Sequence, residues 1–394
     1  MSRAGAGAVF VEALRLGCTS FGGPIAHLGY FEKTYVRRLR WLSAADYAGL
    51  VGLCQLLPGP ASSQVGFLVG LQRAGWLGAL AAWLGFTLPS ALLMVAFAWL
   101  APRLPTTMLA PVLHGLQLVA VAVVAQAVWS MARRLCADWQ TASIGASAAI
   151  VLLMYRTPMT QLATLLAGAL LGMLACRRTQ RRTRFPASVS TRVAAAALTV
   201  FLGLLLLLPL AAIVRPNDLI ALLERFYRAG ALVFGGGHVV LPLLHDGLVP
   251  SGWVSDAAFL AGYGAAQALP GPLFSFAAYL GAVAAPPGGG SVIAALALIA
   301  IFAPGLLLAV AGLRVFQWIE SMPRALGALT GINAAVVGVL GAALYDPLWT
   351  SAVIDAGDAL VAVSGLVLLQ RCKVAPLAIV GLCVTVALLR PLLH

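Results

Sequence analysis

The fold of this chain is decided by a short string that occurs twice, as Gln55-Leu-Leu-Pro-Gly-Pro60 and as Gln267-Ala-Leu-Pro-Gly-Pro272. Both copies interrupt apolar sequence, where two prolines and a glycine end a regular helix. Because a membrane offers no water to a broken helix, such breaks are tolerated only where they are buried or line a cavity. The repeated string therefore predicts two matched helix breaks inside a membrane protein.

The composition around these strings is that of a membrane protein. Of the 394 residues, 61% are hydrophobic and 9% are charged, with a mean hydropathy of +0.97. A soluble domain carries about 25% charged residues, so this chain predicts a surface that faces lipid. The net charge of +13 comes largely from arginines in short loops, where they set orientation in the bilayer. We expect an all-α polytopic membrane protein that has the lipid bilayer, and no nucleic acid, as a partner.

Further matches in the same order divide the chain into two copies of one unit. Arg15–Gly23 and Arg228–Gly236 share the pattern R-x-G-x3-F-G-G. The other matched pairs are Trp41-Leu-Ser43 with Trp253-Val-Ser255, Leu88-Pro-Ser-Ala-Leu-Leu93 with Ala303-Pro-Gly-Leu-Leu-Leu308, and Leu113-His-Gly-Leu116 with Leu329-Thr-Gly-Ile332. The predicted divisions are an N-terminal repeat at 1–176, a basic cytoplasmic linker with an unpaired span at 177–215, and a C-terminal repeat at 216–394.

The loop charges predict that the second repeat is inverted in the membrane relative to the first. The loop after the first F-G-G carries Lys33 and Arg37, Arg38 and Arg40, whereas its counterpart, 237–256, has no Lys or Arg. Cytoplasmic loops are enriched in these residues, so the two loops are expected on opposite sides. The predicted spans are about 76–100, 108–132, 142–154, 161–176, 193–214, 291–313, 325–344, 350–369 and 374–390. The stretches 45–72 and 257–285 then become re-entrant helical hairpins.

Matched helix breaks in inverted repeats indicate a substrate site between the repeats. A half-helix that begins at membrane depth directs its free N–H groups and positive dipole end into the cavity, which favours an anion. A single Pro-Gly-Pro fits a surface turn equally well, but the second copy weakens that alternative. The predicted binding residues are Phe21, Gly22, Gly23, Gln55, Pro58, Gly59, Pro60, Ser62 and Ser63, with Phe234, Gly235, Gly236, Gln267, Pro270, Gly271, Pro272 and Ser275 from the second repeat.

Two arginines at equivalent positions, Arg15 and Arg228, complete the predicted site. An arginine inside a membrane is costly and usually functional, and its planar fork of donors suits an oxyanion. The alternatives are that each arginine reaches the interface or pairs with a nearby acid, Glu12 or Glu224. The histidines that follow the F-G-G strings (His27, His238 and His245) are either proton carriers or idle loop residues.

No pattern of catalytic residues occurs in the sequence. It has no Walker A string, no H-E-x-x-H and no G-x-S-x-G, so it predicts neither ATP hydrolysis nor another enzyme activity. The cysteines lack metal-binding spacing, and no cofactor or metal is expected. Acidic residues are too few for a relay of cations, which again favours an anionic substrate.

The paired motifs resemble one known family, the chromate ion transporter (CHR) family in its long-chain, two-domain form. The resemblance rests on Phe21-Gly-Gly-Pro24, Trp41-Leu-Ser43 and Gln55–Pro60 with their second-repeat echoes, and it covers nearly the whole chain. It implies export of chromate across the inner membrane of a bacterium or archaeon, and resistance to that metal oxyanion. Gly237, where the first repeat has Pro24, departs from the symmetry.

Several alternatives stay open at this point. The resemblance also admits a carrier or exchanger of sulfate, a dianion of the same shape and charge, or of another oxyanion. A channel, a membrane-embedded enzyme and a purely structural protein fit the motifs less well. The coupling ion, the direction of net flux and a homodimer as the assembly are all undecided by the sequence.

Overall fold

The computed structural model describes residues 5–21, 23–103, 105–155, 157–176, 189–214, 217–234, 237–286, 289–319, 322–372 and 374–389. Within these ranges the chain is helical, with short 3-10 and π-helical turns and no β-strand. Five stretches there are long and apolar enough to cross a membrane: Ala61–Arg103, Leu109–Leu135, Thr191–Val214, Gly290–Arg314 and Pro323–Ala352. The prediction of an all-α, multi-pass membrane protein is confirmed.

The first repeat contains α1 (Ala6–Thr19), α2 (Gly23–Phe31), α3 (Ala44–Leu56), α4 (Ala61–Leu100), α5 (Thr106–Leu135), α6 (Trp139–Met154) and α7 (Pro158–Ala175). Helix α2 continues in π-helical turns over Glu32–Arg38, and a 3-10 turn at Ala101–Arg103 follows α4. Helix α8 (Thr191–Val214) stands between the repeats in sequence, as the predicted unpaired span.

The second repeat contains α9 (Asp218–Leu232), α10 (Val240–Leu248), α11 (Asp256–Ala268), α12 (Phe276–Ala284), α13 (Gly290–Ile319), α14 (Pro323–Ala343), α15 (Thr350–Ala352), α16 (Ala356–Gln370) and α17 (Pro376–Leu389). Turns of 3-10 helix precede α10 at Gly237–Val239 and α12 at Leu273–Ser275, and π-helical turns at Leu344–Trp349 precede α15. The order of helices thus parallels that of the first repeat.

Helix α4 is two helices that fold back on each other. Ala74 and Gly75 have non-helical backbone angles, with a φ of +65° at Gly75. A Cβ on Gly70 would strike the carbonyl oxygen of Gly78, and the reverse holds as well. Eight residues of unbroken helix would separate these two glycines by about 12 Å. The segments 61–73 and 76–100 are therefore separate, in agreement with the predicted start of a span at 76.

A long helix of each repeat packs against helices of the other repeat. Helix α14 packs on α6 and α7, and α5 packs on α16 and α17. Glycines lie at these contacts: a Cβ on Gly331 would strike the carbonyl oxygen of Gly168, and one on Gly115 would lie 2.7 Å from Val384 Cα. Small residues let helix backbones approach this closely within a membrane. Each repeat is therefore completed by a helix of the other.

One predicted span is wrong in its extent. The sequence predicted a single span over 350–369, but α15 ends at Ala352 and α16 begins at Ala356. Asp355 explains the break, because its carboxylate accepts hydrogen bonds from the backbone N–H groups of Gly357 and Asp358. An N-cap of this kind starts a new helix at a position that hydropathy alone passes over.

Candidate functional site

Both Pro-Gly-Pro strings form the turns that the sequence predicts. Helix α3 ends at Leu56 before the first turn, and α11 ends at Ala268 before the second. The central glycines, Gly59 and Gly271, have φ values of +114° and +99°. Only glycine adopts this backbone conformation without strain, which is why the turn carries glycine between two prolines.

Each turn is hydrogen-bonded to the opposite repeat at an equivalent position. The Gly59 N–H donates to the Val233 carbonyl at 2.7 Å, and the Gly271 N–H donates to the Ser20 carbonyl at 2.9 Å. Ser20 and Val233 occupy the same place in their repeats, directly before the phenylalanine of F-G-G. Each Pro-Gly-Pro turn therefore docks on the residue directly before the F-G-G string of the other repeat.

The same reciprocity extends to the two helices that carry an internal proline. A Cβ on Gly59 would lie 2.8 Å from the Cα of Gly305, and one on Gly271 would lie 2.8 Å from the Oγ of Ser90. Ser90 follows Pro89 in α4, and Gly305 follows Pro304 in α13. The two turns, the residues Ser20 and Val233, and the two proline-bearing helices thus meet at the contact between the repeats.

The first turn is held by a side chain that the sequence analysis did not single out. Gln64 is fully buried, and its Nε2 donates to the carbonyls of Pro58 and Gly305 at 2.8 Å each. The signal was present in the string Ala61-Ser-Ser-Gln64, because three polar residues in the first turn of an apolar helix are unusual. Next to it, Ser62 Oγ lies 3.4 Å from Nδ1 of His27.

The two predicted glutamines lie in different surroundings. Gln55 is exposed on α3, whereas Gln267 is half-buried at the end of α11. The hydroxyl of Tyr263, one helical turn before Gln267, is 2.7 Å from Nδ1 of His238. Nε2 of Gln267 has no partner among the described residues.

The two arginines lie in ion pairs with the acids one helical turn before them. Arg15 Nη1 is 3.1 Å from Glu12 Oε1, and Arg228 Nε is 3.2 Å from Glu224 Oε1. The exposed fractions of the two arginine side chains are 64% and 37%. These ion pairs match the alternative in which each arginine pairs with a nearby acid.

The remaining predicted residues divide by position. Gly22, Gly235 and Gly236 lie outside the described residues. Pro58, Pro60, Pro272 and the serines Ser62, Ser63 and Ser275 are buried around the turns, while Pro270 and the aromatic rings of Phe21 and Phe234 are half-buried. Gly23 has a φ of +79° at the start of α2, and a Cβ there would lie 3.8 Å from Nε2 of His238 in the other repeat. Across the described ranges, no three His, Cys, Asp or Glu side chains group closely enough to hold a metal ion.

Comparison with known proteins finds one family. The family model described as chromate transporter matches residues 7–173 and again residues 220–388. A chromate transport protein of Pseudomonas aeruginosa is 28% identical over 343 residues, which is 86% of this chain and 80% of that protein. A chromate transport protein of Cupriavidus metallidurans is 27% identical over 395 residues, covering 97% and 92%. A probable chromate transport protein of Synechococcus elongatus is 30% identical over 342 residues, covering 84% and 81%. No solved structure matches the chain.

Proposed function

This chain belongs to the chromate transporter family, and we propose that it is a secondary transporter that exports chromate across the cytoplasmic membrane. The observation that carries the proposal is the reciprocal docking of the two Pro-Gly-Pro turns, through the Gly59 N–H on Val233 and the Gly271 N–H on Ser20. Broken helices that meet between two repeats are the structural setting in which secondary transporters bind their substrates.

The chromate dianion is proposed to bind at this meeting point. The helical segment 61–73 and the turn that leads into α12 both begin here, and a helix start presents unpaired N–H groups and a positive partial charge. A tetrahedral oxyanion is only an acceptor of hydrogen bonds, so it complements such ends without a metal or a cofactor. The contacts of Gln64 with Pro58 and Gly305 support a rigid first turn.

Arg15 and Arg228 are proposed to act as nearby positive charges for the anion. Arg15 precedes the Ser20 carbonyl by five residues, and Arg228 precedes the Val233 carbonyl by the same number. Five helical residues correspond to about 7.5 Å of axial rise, a distance over which a charge still acts in a membrane interior. Their ion pairs with Glu12 and Glu224 support this role over direct contact.

The two repeats are proposed to lie inverted in the membrane, with the Pro-Gly-Pro turns as tips of re-entrant hairpins. The mirrored loop charges support this arrangement, as does the equivalence of contacts across the repeats. A Cβ on Gly17 would lie 2.7 Å from the Phe86 carbonyl oxygen, and one on its counterpart Gly230 would strike the oxygen of Ile301. A reporter inserted near Pro250 tests the topology: a periplasmic signal is expected, and a cytoplasmic one contradicts inversion.

The unequal packing of the repeats supports a carrier with alternating access. Gln117 of α5 donates to the Ala257 carbonyl of α11 at 3.2 Å. The equivalent residue of the other repeat, Asn333 of α14, has a buried Oδ1 with no partner in the described part of the chain. We propose that transport exchanges the two arrangements, so that α14 closes on α3 as α5 leaves α11. A channel needs no such exchange.

The membrane potential is sufficient to drive the proposed export. Moving one elementary charge across 100 mV corresponds to about 2.3 kcal/mol, so a dianion gains about 4–5 kcal/mol on leaving a cell that is negative inside. ATP is therefore not required. Uniport and exchange against another ion are both compatible with this energy.

Uptake of labelled chromate into inverted membrane vesicles tests the proposal. Export from the cell corresponds to uptake by these vesicles, so accumulation above vesicles from empty-vector cells is expected, and it should rise when the vesicle interior is made positive. Absence of uptake at matched protein levels overturns chromate export. Competition by sulfate tests the second candidate, a carrier of sulfate or another oxyanion, because hydrogen-bond donors alone discriminate poorly between dianions of one shape.

A further inference from the structure

Several buried polar side chains of the first repeat, close to the two Pro-Gly-Pro turns, have atoms without partners. Among the described residues, Ser20 Oγ, His27 Nε2, Ser63 Oγ and Thr87 Oγ1 make no hydrogen bond. Each of these four residues is at most 2% exposed. Buried polar groups in proteins nearly always have a partner, and a group left without one destabilises the fold. Such a cluster therefore needs an explanation.

His27 connects the residue that follows α1 with two turns of α4 at the repeat contact. The imidazole of His27 lies beside the backbone of Ser20, 3.4 Å from Ser62 Oγ, and its ring meets the Phe86 ring edge-on at 5.4 Å. Thr87 directly follows Phe86. The Ser20 carbonyl accepts a hydrogen bond from the N–H of Gly271. A Cβ added to Gly271 would lie 3.3 Å from the Phe86 carbonyl oxygen. The end of α1 and the helices α2 and α4 thus meet near the second turn.

A helix begins at the same place. Ser62 and Ser63 lie in the first turn of α4, directly after Pro60. The N-terminus of a helix favours an anion through its free N–H groups and its dipole. The unpartnered hydroxyl of Ser63 is a second, independent indication that an acceptor of hydrogen bonds is missing there.

The equivalent place in the second repeat carries mostly apolar side chains, although the buried Ser275 matches Ser63. The matched motifs pair Ser20 with Val233, Ser62 with Phe274, Gln64 with Phe276 and Thr87 with Phe302. Phe274, Phe276 and Phe302 are at most 1% exposed, and the rings of Phe274 and Phe302 lie 5.5 Å apart. Aromatic packing of this kind stands where the first repeat has polar side chains.

We propose that the protein binds one tetrahedral oxyanion per chain, in the first repeat only, with Ser20, His27, Ser63 and Thr87 as hydrogen-bond donors. At the equivalent position of the second repeat, the packing of Phe274 against Phe302 leaves no binding site for an anion. This proposal rests on the proposed function, deepens it by assigning the donors, and removes Ser275 from the donors that the sequence predicted. Hydroxyl and imidazole N–H groups complement an anion that accepts at all four oxygens.

Equilibrium binding of radiolabelled sulfate and chromate to the purified protein in lipid nanodiscs tests the assignment. The wild-type chain is expected to bind one ion. Ser63→Ala is expected to weaken binding about tenfold or more, since hydrogen bonds to charged groups are the strong ones. Ser275→Ala, at the equivalent place in the second repeat, is expected to change affinity less than twofold. Ser143→Ala, on the exposed face of α6, serves as an unrelated hydroxyl control.

Thermal unfolding separates a binding role from a structural one. Thr87→Val keeps the side-chain shape and removes a hydroxyl that has no partner among the described residues. It is expected to leave the melting temperature without anion unchanged or raised, and to abolish most of the stabilisation that added oxyanion gives the wild type. A lower melting temperature with the full anion response contradicts the proposal.

The outcomes distinguish the site from the proposed function. Two ions per chain, equal losses in Ser63→Ala and Ser275→Ala, or unchanged affinity in both Ser63→Ala and Thr87→Val overturn the single site, even where vesicles accumulate chromate. Binding of sulfate with the expected pattern, in a protein whose vesicles accumulate no chromate, upholds the site and rejects chromate export. Wild-type protein that binds neither dianion rejects the site.

Discussion

Helices α3 and α11 begin after the same Trp-x-Ser string and end before the same Pro-Gly-Pro turn, yet one is peripheral and the other central. In α11 every residue from Phe259 to Ala266 is buried. In α3 a stripe that includes Ala48 and Gln55 is exposed, and a Cβ on Gly52 would meet nothing within 4 Å. The equivalent glycine of α11, Gly264, lies directly against the Leu116 carbonyl oxygen.

The difference shows that a sequence repeat fixes which surfaces are complementary without fixing whether both are in contact. The docking of the turns is the same in both repeats, through Gly59 and Gly271. The helices that lead into the turns differ, because α5 lies on α11 while the matching face of α3 is open. Four predictions break or sharpen this comparison.

The largest effect is expected at Gly264. A valine there would drive its side chain into the backbone of α5, which cannot yield as a flexible side chain does. Overpacking of this kind destabilises by about 3 kcal/mol. We expect Gly264→Val to lose most folded protein in detergent-solubilised membranes, measured by fluorescence-detected gel filtration after heating. Gly52→Val is the matched control, with stability within about 0.5 kcal/mol of wild type; equal losses in both would show that α3 is packed like α11.

A second effect is expected at the turns. Gly59→Ala and Gly271→Ala both place a side chain at positive φ, which costs about 1–3 kcal/mol. Their obstacles differ, since Gly59 faces the Cα of Gly305, and Gly271 faces the side chain of Ser90. Ser90→Gly should therefore recover part of the stability lost in Gly271→Ala.

Melting curves of the double variant Gly271→Ala/Ser90→Gly measure that recovery. A second-site change of a side chain cannot fully relieve Gly59→Ala, because a Cβ there meets the Gly305 backbone at 2.8 Å as well as the Gln64 amide at 2.9 Å. Absence of any recovery in the double variant would mean that Ser90 does not limit the space at the second turn.

The proposed exchange of arrangements predicts a smaller effect on transport by Gly52→Val. The variant should fold normally but hinder α14 from closing on α3, slowing chromate uptake into inverted vesicles about tenfold, which corresponds to about 1.4 kcal/mol in the barrier. Oxyanion binding to the purified variant should be unchanged. Wild-type uptake by this variant would show that α3 never closes.

The smallest effect is expected at the arginines. Arg15→Gln and Arg228→Gln remove positive charge near the docked turns, and a loss in chromate affinity of about threefold is expected from exposed, ion-paired groups. Arg15→Lys and Arg228→Lys keep the charge and should behave as wild type. Binding assays in nanodiscs decide: a severe loss in the lysine variants would indicate that the guanidinium fork itself contacts the anion.

Much of the candidate site was predictable from the sequence because its determinants are local. A Pro-Gly-Pro string requires a break and a glycine at positive φ wherever it stands, and its duplication at matched positions indicates a pair. The donors Ser20 and Thr87 were not predictable in this way, since a single serine or threonine in apolar sequence carries no signal. They become recognisable only when the fold buries them without partners.

The sequence by itself determined the membrane class, the helical architecture, the repeat and the places where its helices break, because composition, period and backbone sterics act over a few residues. The tertiary structure alone decided that the turns dock on opposite repeats, that Arg15 pairs with Glu12, and that α11 is enclosed while α3 is open. The docking of the turns and the enclosure of α11 depend on contacts between residues more than a hundred positions apart. Near-identical strings have the same local preferences, so only their neighbours in space can make them differ.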